Sequence, residues 1–165
     1  MNILKVIASL TLLSTSIGAA HAIPADSLYK MSVNKPGSLT PFYQAHSKVP
    51  FTKPFDSLNK EQQTIVKSKF KSLGVNDTPP YPTEGSLSLY RPLLKAGAMA
   101  SLTGKLKVSA TIGIDGQVSA VDVIKSPNDY LSKKVVRIVS NTKFDAASCD
   151  GDRCEMNFPI EIQFN

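Results

Sequence analysis

The chain has 165 residues, a formal net charge of +6 at pH 7, two cysteines and two histidines. This length allows one domain with a real core plus an appendage, and it leaves little room for a second domain. The lysines are spread along the sequence, so the charge predicts ordinary solubility. Attraction to anionic envelope surfaces or acidic partners is the alternative interpretation.

The N-terminus has the pattern of a secretory signal peptide. Lys5 supplies the positive charge, residues 6–20 are apolar or small and uncharged, and Ala20-His21-Ala22 forms a small-x-small cleavage motif. An uncleaved anchor needs about 20 strongly apolar residues, and this run is shorter and diluted by serine and threonine. We therefore expect cleavage after Ala22, no stable membrane anchor, and no nucleic-acid partner, since exported proteins rarely meet nucleic acid.

The rest of the sequence divides into an arm and one folded domain. Residues 1–22 are the predicted signal peptide, and residues 23–55 are rich in proline without a sustained apolar period, which predicts a largely irregular arm. The domain is expected to occupy residues 56–165, with a helical lead-in over 56–103 and a core over 104–165. The sequence leaves open whether the arm folds back onto the domain.

Two helices are predicted in the lead-in. Asn59 and Gln62 have the spacing of a capping box, and an apolar stripe follows at helical spacing until Gly74, which suits a C-terminal stop. Residues 86–100 have a second helical period that contains Pro92. Either this helix kinks at Pro92, or it begins there with the proline in its first turn.

Three strands are predicted in the core. Apolar and polar residues alternate over 106–114, Asp115 and Gly116 form a turn, and the valine-rich segment 117–125 returns, which predicts a β-hairpin. Alternation resumes in Met156–Phe164, the third strand. Between them, Ser126 as cap and Pro127 in the first turn predict a helix that ends near Asn141.

The order of these elements predicts the fold class. A strand hairpin, a helix and a last strand form a three-stranded antiparallel sheet, and the helices must then pack on one face of it. The class is therefore α+β.

The two cysteines are expected to form a structural disulfide. Four residues separate Cys149 from Cys154, and they include the turn-forming pair Asp150 and Gly151. In an oxidising compartment the two thiols can bridge the tip of a hairpin. A redox-active pair is the alternative, although its usual spacing is two intervening residues.

An enzymatic function finds no support in the sequence. We can place no serine-histidine-acid or cysteine-histidine set and no glycine-rich phosphate loop. After the predicted cleavage, His46 is the only histidine and lies far from the cysteines, so no metal site is expected. We predict that the protein is not an enzyme and binds no cofactor.

Several short motifs then recur in an order typical of a known family. Residues 79–164 resemble the C-terminal domain of TonB, the periplasmic energy transducer of Gram-negative bacteria. The segments that carry this resemblance are Pro79-x-Tyr81-Pro82 ahead of a helix, Gly104 at the first strand, Asp115-Gly116-Gln117-Val118 at the hairpin, a helix over Asp129–Ser140, Phe144, and a last alternating strand that ends in Phe164.

The resemblance implies a binding mode. Domains of this family capture a short extended segment of an outer-membrane transporter, which pairs with the last strand of the sheet by β-augmentation. Here the binding edge would be Met156–Phe164, with Tyr81 and Pro82 nearby. Pro159 favours an edge position and removes one donor. The outward backbone groups would otherwise belong to Asn157, Glu161 and Gln163.

From the sequence we therefore expect a soluble periplasmic TonB-like protein that binds a segment of an outer-membrane or periplasmic protein and transmits no energy itself. If the N-terminal helix stays uncleaved, with Ser16 and His21 in it, the alternative is a membrane-anchored energy transducer. A third hypothesis is a structural envelope protein that self-associates, for example as a homodimer, through the same edge.

Overall fold

The computed structural model describes residues 28–39, 41–71 and 73–165. The predicted signal peptide, with its cleavage site at Ala22, lies outside these residues. The helices and strands are, in chain order, β1 (Tyr29–Asn34), β2 (Pro41–Ser47), α1 (Lys60–Lys67), β3 (Tyr81–Pro82), α2 (Leu87–Met99), β4 (Gly104–Ile112), β5 (Val118–Lys125), α3 (Asp129–Ser140), β6 (Phe144–Asp145), β7 (Ala147–Cys149), β8 (Asp152–Cys154) and β9 (Met156–Phe164).

A three-stranded antiparallel sheet forms the centre of the molecule, in the order β5-β4-β9. The α+β class predicted from the sequence is confirmed. Apolar and polar residues alternate strictly along β4, so the apolar side chains share one face of the strand. That face lies against the core and is fully buried. Ile114, predicted to continue this alternation, is instead 60% exposed, since β4 ends at Ile112 and the chain has already entered the turn.

The β4–β5 turn explains why Gly116 stands there. Its φ is +78°, in the left-handed region that glycine enters at little cost. A Cβ at this position would also overlap the backbone carbonyl of Phe144, because the turn packs directly on β6. The Phe144 amide donates to the Gly116 carbonyl at 3.3 Å, which ties the hairpin to β6.

The helix α1 begins as predicted and ends early. The Asn59 side chain accepts from the Gln62 amide at 2.9 Å while the Gln62 side chain accepts from the Asn59 amide, which confirms the capping box. The helix ends at Lys67 and does not reach the expected stop at Gly74. At its end the Ser68 hydroxyl donates to a carbonyl one turn back, and the backbone tightens into i to i+3 bonds, which do not propagate an α-helix.

The other two helices settle one point that the sequence left open and correct one prediction. The helix α2 begins at Leu87 and continues through Pro92 to Met99, so the proline lies inside the helix and does not start it. The cap of α3 is Asn128, whose side chain accepts from the Leu131 amide at 2.9 Å. Ser126 was predicted as this cap, but asparagine is an equally good cap and lies next to the first helical residue.

The prediction of an irregular arm over residues 23–55 was wrong for residues 29–34 and 41–47, which form strands. There β1 and β2 form an antiparallel hairpin. The hairpin folds back onto the domain, because Met31, Val33 and Tyr43 are buried in the same core as the sheet. The burial of these side chains supplies the free energy that orders the segment.

The hairpin is anchored at the C-terminal end of β9. The rings of Tyr43 and Phe164 lie 5.3 Å apart between centroids, and the Tyr43 hydroxyl donates to the Leu102 carbonyl. On its other side the Phe164 ring occupies the space that a side chain at Gly97 of α2 would need. Phe164 therefore joins the sheet, α2 and the hairpin in one core.

Candidate functional site

The outer edge of β9 can be located from the backbone directions in the sheet. The Gly113 amide donates to the Gln117 carbonyl at 2.8 Å across the β4–β5 turn. By alternation, the odd-numbered residues of β4 direct their hydrogen-bonding groups to β5, and the even-numbered ones direct theirs to the even-numbered residues of β9. The β9 groups directed away from the sheet belong to Asn157, Pro159, Glu161 and Gln163.

The two edges of the sheet differ in regularity. In the described part of the chain no strand pairs with the outer edge of β9. Its pairing with β4 runs in unbroken register from Gly104↔Phe164 to Ile112↔Met156, so the edge is continuous. The pairing between β4 and β5 is interrupted twice by irregularities. Because bulges twist an edge and break its pattern of donors and acceptors, β9 is the better template for an added strand.

A groove follows this edge, and we call it the β9 groove. Its volume is about 290 Å³. One wall is β9 from Phe158 to Gln163, and the opposite wall is β2 from Gln44 to Ser47. The unpaired edge of the sheet thus borders a cavity that β2 also lines.

The floor of the β9 groove is largely aromatic and aliphatic. It includes Phe70, Tyr90 and Leu94, and the ring of Phe70 lies 6.1 Å from that of Phe158. Burial, together with the neighbouring Tyr81 and Glu161, raises the pKa of Tyr90 to about 12. Its hydroxyl is therefore neutral at physiological pH and can both donate and accept a hydrogen bond.

Two charged side chains lie in the β9 groove. Partial desolvation lowers the pKa of the Lys69 amine. Hydrogen bonds from Lys105 and Lys107 lower the pKa of the Glu161 carboxyl, and the two amines lie 3.1 and 3.3 Å from its oxygens. Glu161 is thus held by lysines of β4, whereas Lys69 forms no ion pair within the described residues.

The tyrosine-proline segment meets the site at one residue. Tyr81 lines the β9 groove, as the resemblance implied, and its main chain pairs with Asp145 in the short β3–β6 ladder. Pro82 pairs with Phe144, and Pro79 is buried. Neither proline lines the groove, so they fix the position of Tyr81 and offer no surface to a ligand.

The cysteine turn is a separate feature. Cys149 and Cys154 form a disulfide that joins β7 and β8, with the two Cα atoms 5.8 Å apart. This confirms the predicted bridge. Neither cysteine lines the β9 groove, so the disulfide holds a local turn ahead of β9.

Residues 28–39, 41–71 and 73–165 contain neither a metal-ligand cluster nor a membrane-spanning helix. Within that part of the chain no three histidine, cysteine, aspartate or glutamate side chains come together as metal ligands. None of the helices described there has the length and apolar character to cross a membrane.

Sequence reasoning missed the wall formed by β2. The signal was present but short, because Met31 and Val33 alternate with polar residues in one run and Tyr43 and Ala45 do so in another. The turn-forming pair Pro36 and Gly37 lies between the two runs. The prolines in residues 23–55 favoured an irregular arm more strongly than this short alternation favoured two strands.

The relation to a known family concerns the part of the chain that builds the sheet. Residues 95–165 match the family model described as Gram-negative bacterial TonB protein C-terminal. This part of the chain is therefore similar to the TonB C-terminal family. Among the curated proteins none matches this chain.

The match to the family model covers part of the described structure. It begins within α2 and includes the whole β5-β4-β9 sheet and α3. Domains of this family act in energy transduction and protein interaction, and they are not enzymes. The hairpin of β1 and β2, which supplies the second wall of the β9 groove, precedes the matched segment. It therefore lies outside the part of the chain that the family model covers.

Proposed function

We propose that this protein binds an extended segment of an outer-membrane or periplasmic protein by β-strand addition to β9, in the periplasm and without transmitting energy itself. The observation that carries the proposal is the continuous outer edge of β9 beside an apolar groove. An extended segment can satisfy the outward backbone groups at Asn157, Glu161 and Gln163, and main-chain hydrogen bonds of this kind make few demands on sequence.

The β9 groove supports an extended ligand over a compact one. A strand added to β9 directs alternate side chains to the two faces of the sheet. Those on the buried face would meet Phe70 and Tyr90, so apolar side chains at every second position suit the groove. Lys69 adds a preference for one acidic residue in the segment, since this amine has no carboxylate partner among the described residues.

The TonB box is the short extended transporter segment that domains of this family capture. Isothermal titration of the exported protein with synthetic TonB-box peptides tests the proposal. A matched pair of variants isolates the backbone contribution. Gln163→Pro removes one outward N–H, whereas Gln163→Ala removes the side chain and keeps the N–H. We expect Gln163→Pro to weaken binding by about 1 kcal/mol and Gln163→Ala to change it little.

Two results would contradict strand addition. One is equal affinity of the wild type and Gln163→Pro for every peptide. The other is undiminished binding of a peptide in which every residue is proline, because such a peptide has no N–H to donate to the ladder. Circular dichroism of both variants verifies that the fold is retained.

The same free edge also suits self-association, with two copies of β9 pairing across a dimer. Light scattering of the purified protein separates the two functions, because a monomer at all concentrations excludes the dimer. Mass spectrometry of the first residue after export separates both from an anchored energy transducer, which requires an N-terminus upstream of Ala22.

A further inference from the structure

A second groove lies between α2 and α3, and we call it the α2–α3 groove. Its volume is about 490 Å³, larger than that of the β9 groove. It shares no lining residue with the β9 groove, although α2 borders both. One side of α2 therefore faces the proposed peptide site while another side opens to a separate surface.

The floor of the α2–α3 groove is apolar. It is formed by Pro92, Met99, Tyr130 and Ile138, together with Ala96 at the back. Met99 is 61% exposed and Tyr130 is 40% exposed, so the groove contains accessible surface of two large apolar side chains. Exposed apolar surface that forms a depression, and not a protrusion, is typical of a docking site for a partner's side chain.

The rim of the α2–α3 groove carries only positive charge. Lys95 lies on the α2 side, and Lys134 and Arg137 lie on the α3 side. No aspartate or glutamate lines the groove, and none of the three cations forms an ion pair in the described part of the chain. The Lys134 amine lies 5.6 Å from the centre of the Tyr130 ring, which keeps this cation over the groove.

We propose that the α2–α3 groove binds an acidic amphipathic segment of a partner protein, with apolar side chains on the floor and carboxylates paired to Lys95, Lys134 and Arg137. Complementary charge on both walls fixes the register of such a segment. The apolar floor buries the segment's apolar side chains, which contributes to affinity. Because cations line the groove from both helices, a single segment can pair with both sides at once, and the vesicle measurement below distinguishes it from an anionic membrane.

The site lies outside the proposed strand-addition edge and does not depend on it. A partner that carries both an extended segment and an acidic segment could engage the two grooves at once. Each contact would then raise the effective concentration of the other. The α2–α3 groove would in that case select among partners that the backbone-directed β9 edge alone distinguishes poorly.

The assignment is tested by fluorescence anisotropy of a labelled peptide, in which pairs of glutamates alternate with pairs of leucines, on addition of the exported protein. The double variant Lys134→Glu/Arg137→Glu should weaken binding by roughly tenfold or more, and added salt should weaken it further. Lys133→Glu is the matched control for Lys134→Glu measured alone, since each substitution reverses one charge. Lys133 is exposed on the same helix and does not line the groove. This control should bind almost as tightly as the wild type.

Three results would overturn the assignment. The first is no preference for this peptide over its glutamine counterpart. The second is an equal loss in Lys133→Glu and in Lys134→Glu, which would show a non-specific effect of net charge. The third is binding to anionic phosphatidylglycerol vesicles that is lost in the double variant while the peptide does not bind, which would assign the surface to a membrane.

Amide chemical shifts on peptide addition should change at Met99 and Tyr130, and titration of the β9 groove with TonB-box peptides should be unaffected by the double variant.

Discussion

Pro159 lies directly opposite Ser109 in the β4–β9 ladder, at a position whose backbone nitrogen faces away from the sheet. The proline therefore costs the sheet no hydrogen bond, and the register continues unbroken on both sides of it. It does remove one N–H donor from the outer edge, between the outward backbone groups of Asn157 and Glu161 that an added strand would use.

Replacing this proline should improve strand addition. Pro159→Ala restores an outward N–H, and we expect tighter binding of an extended peptide by about 1 kcal/mol, or roughly fivefold in Kd. Isothermal titration measures the change. Pro36→Ala, in the β1–β2 turn, is the control for loss of a proline elsewhere. Weaker binding by Pro159→Ala, with its fold intact, would argue against pairing at this edge.

The hairpin of β1 and β2 should depend on one buried hydroxyl. Tyr43→Phe keeps the ring against Phe164 and leaves the Leu102 carbonyl without its donor. We expect a loss of about 1 kcal/mol in the free energy of unfolding, measured by urea denaturation. Cleavage of residues 28–47 in limited proteolysis should accelerate. Tyr130→Phe, an exposed tyrosine on α3, should leave both measurements unchanged.

The sequence predicted the central sheet because its signals are local. Strict alternation in β4 and β9, the turn at Gly116 and the capping box at Asn59 each lie within a few consecutive residues. The disulfide followed from the short spacing of the two cysteines, the turn-forming pair between them and the expected oxidising compartment. The outward positions on β9 could be predicted for the same reason, since the alternation of side chains also fixes the alternation of backbone groups.

The second wall of the site could not be predicted in this way. β1 and β2 are ordered by contacts distant in sequence, such as that of Tyr43 with Phe164, and a short proline-bearing segment does not reveal them. The early end of α1 has a similar origin. The residues after Lys67 leave the helix, and the Phe70 ring lies against Phe158, far along the chain. In both cases tertiary packing outweighs the local pattern.

Removing the disulfide should have a limited effect. Cys149→Ser/Cys154→Ser opens a very short loop, and loop entropy then predicts a loss of about 2 kcal/mol in the free energy of unfolding. Thermal unfolding with and without reductant measures it. Because neither cysteine lines the β9 groove, peptide affinity should stay within about twofold of the wild type at a temperature where both are folded. A large loss of affinity would place the cysteine turn in the binding site.

The cysteine turn should also give the protein a dependence on acid pH through Asp77. Its carboxylate accepts hydrogen bonds from the Asp150 amide at 2.9 Å and from the Gly74 amide at 2.8 Å, and these bonds lower its pKa. A carboxyl whose pKa is lower in the folded state stabilises that state above its unfolded pKa, near 4. The stabilisation is lost as the pH falls through the folded value.

Asp77→Asn tests this linkage. The amide cannot carry the charge, so the variant should be less stable than the wild type at pH 7, and the difference should shrink as the pH falls below about 4. Urea midpoints measured from neutral to acid pH give the comparison. Asp122→Asn is the control, because Asp122 is exposed on β5 and should not alter the pH profile. A constant difference between Asp77→Asn and the wild type at every pH would mean that the carboxylate acts through its shape and not through its charge.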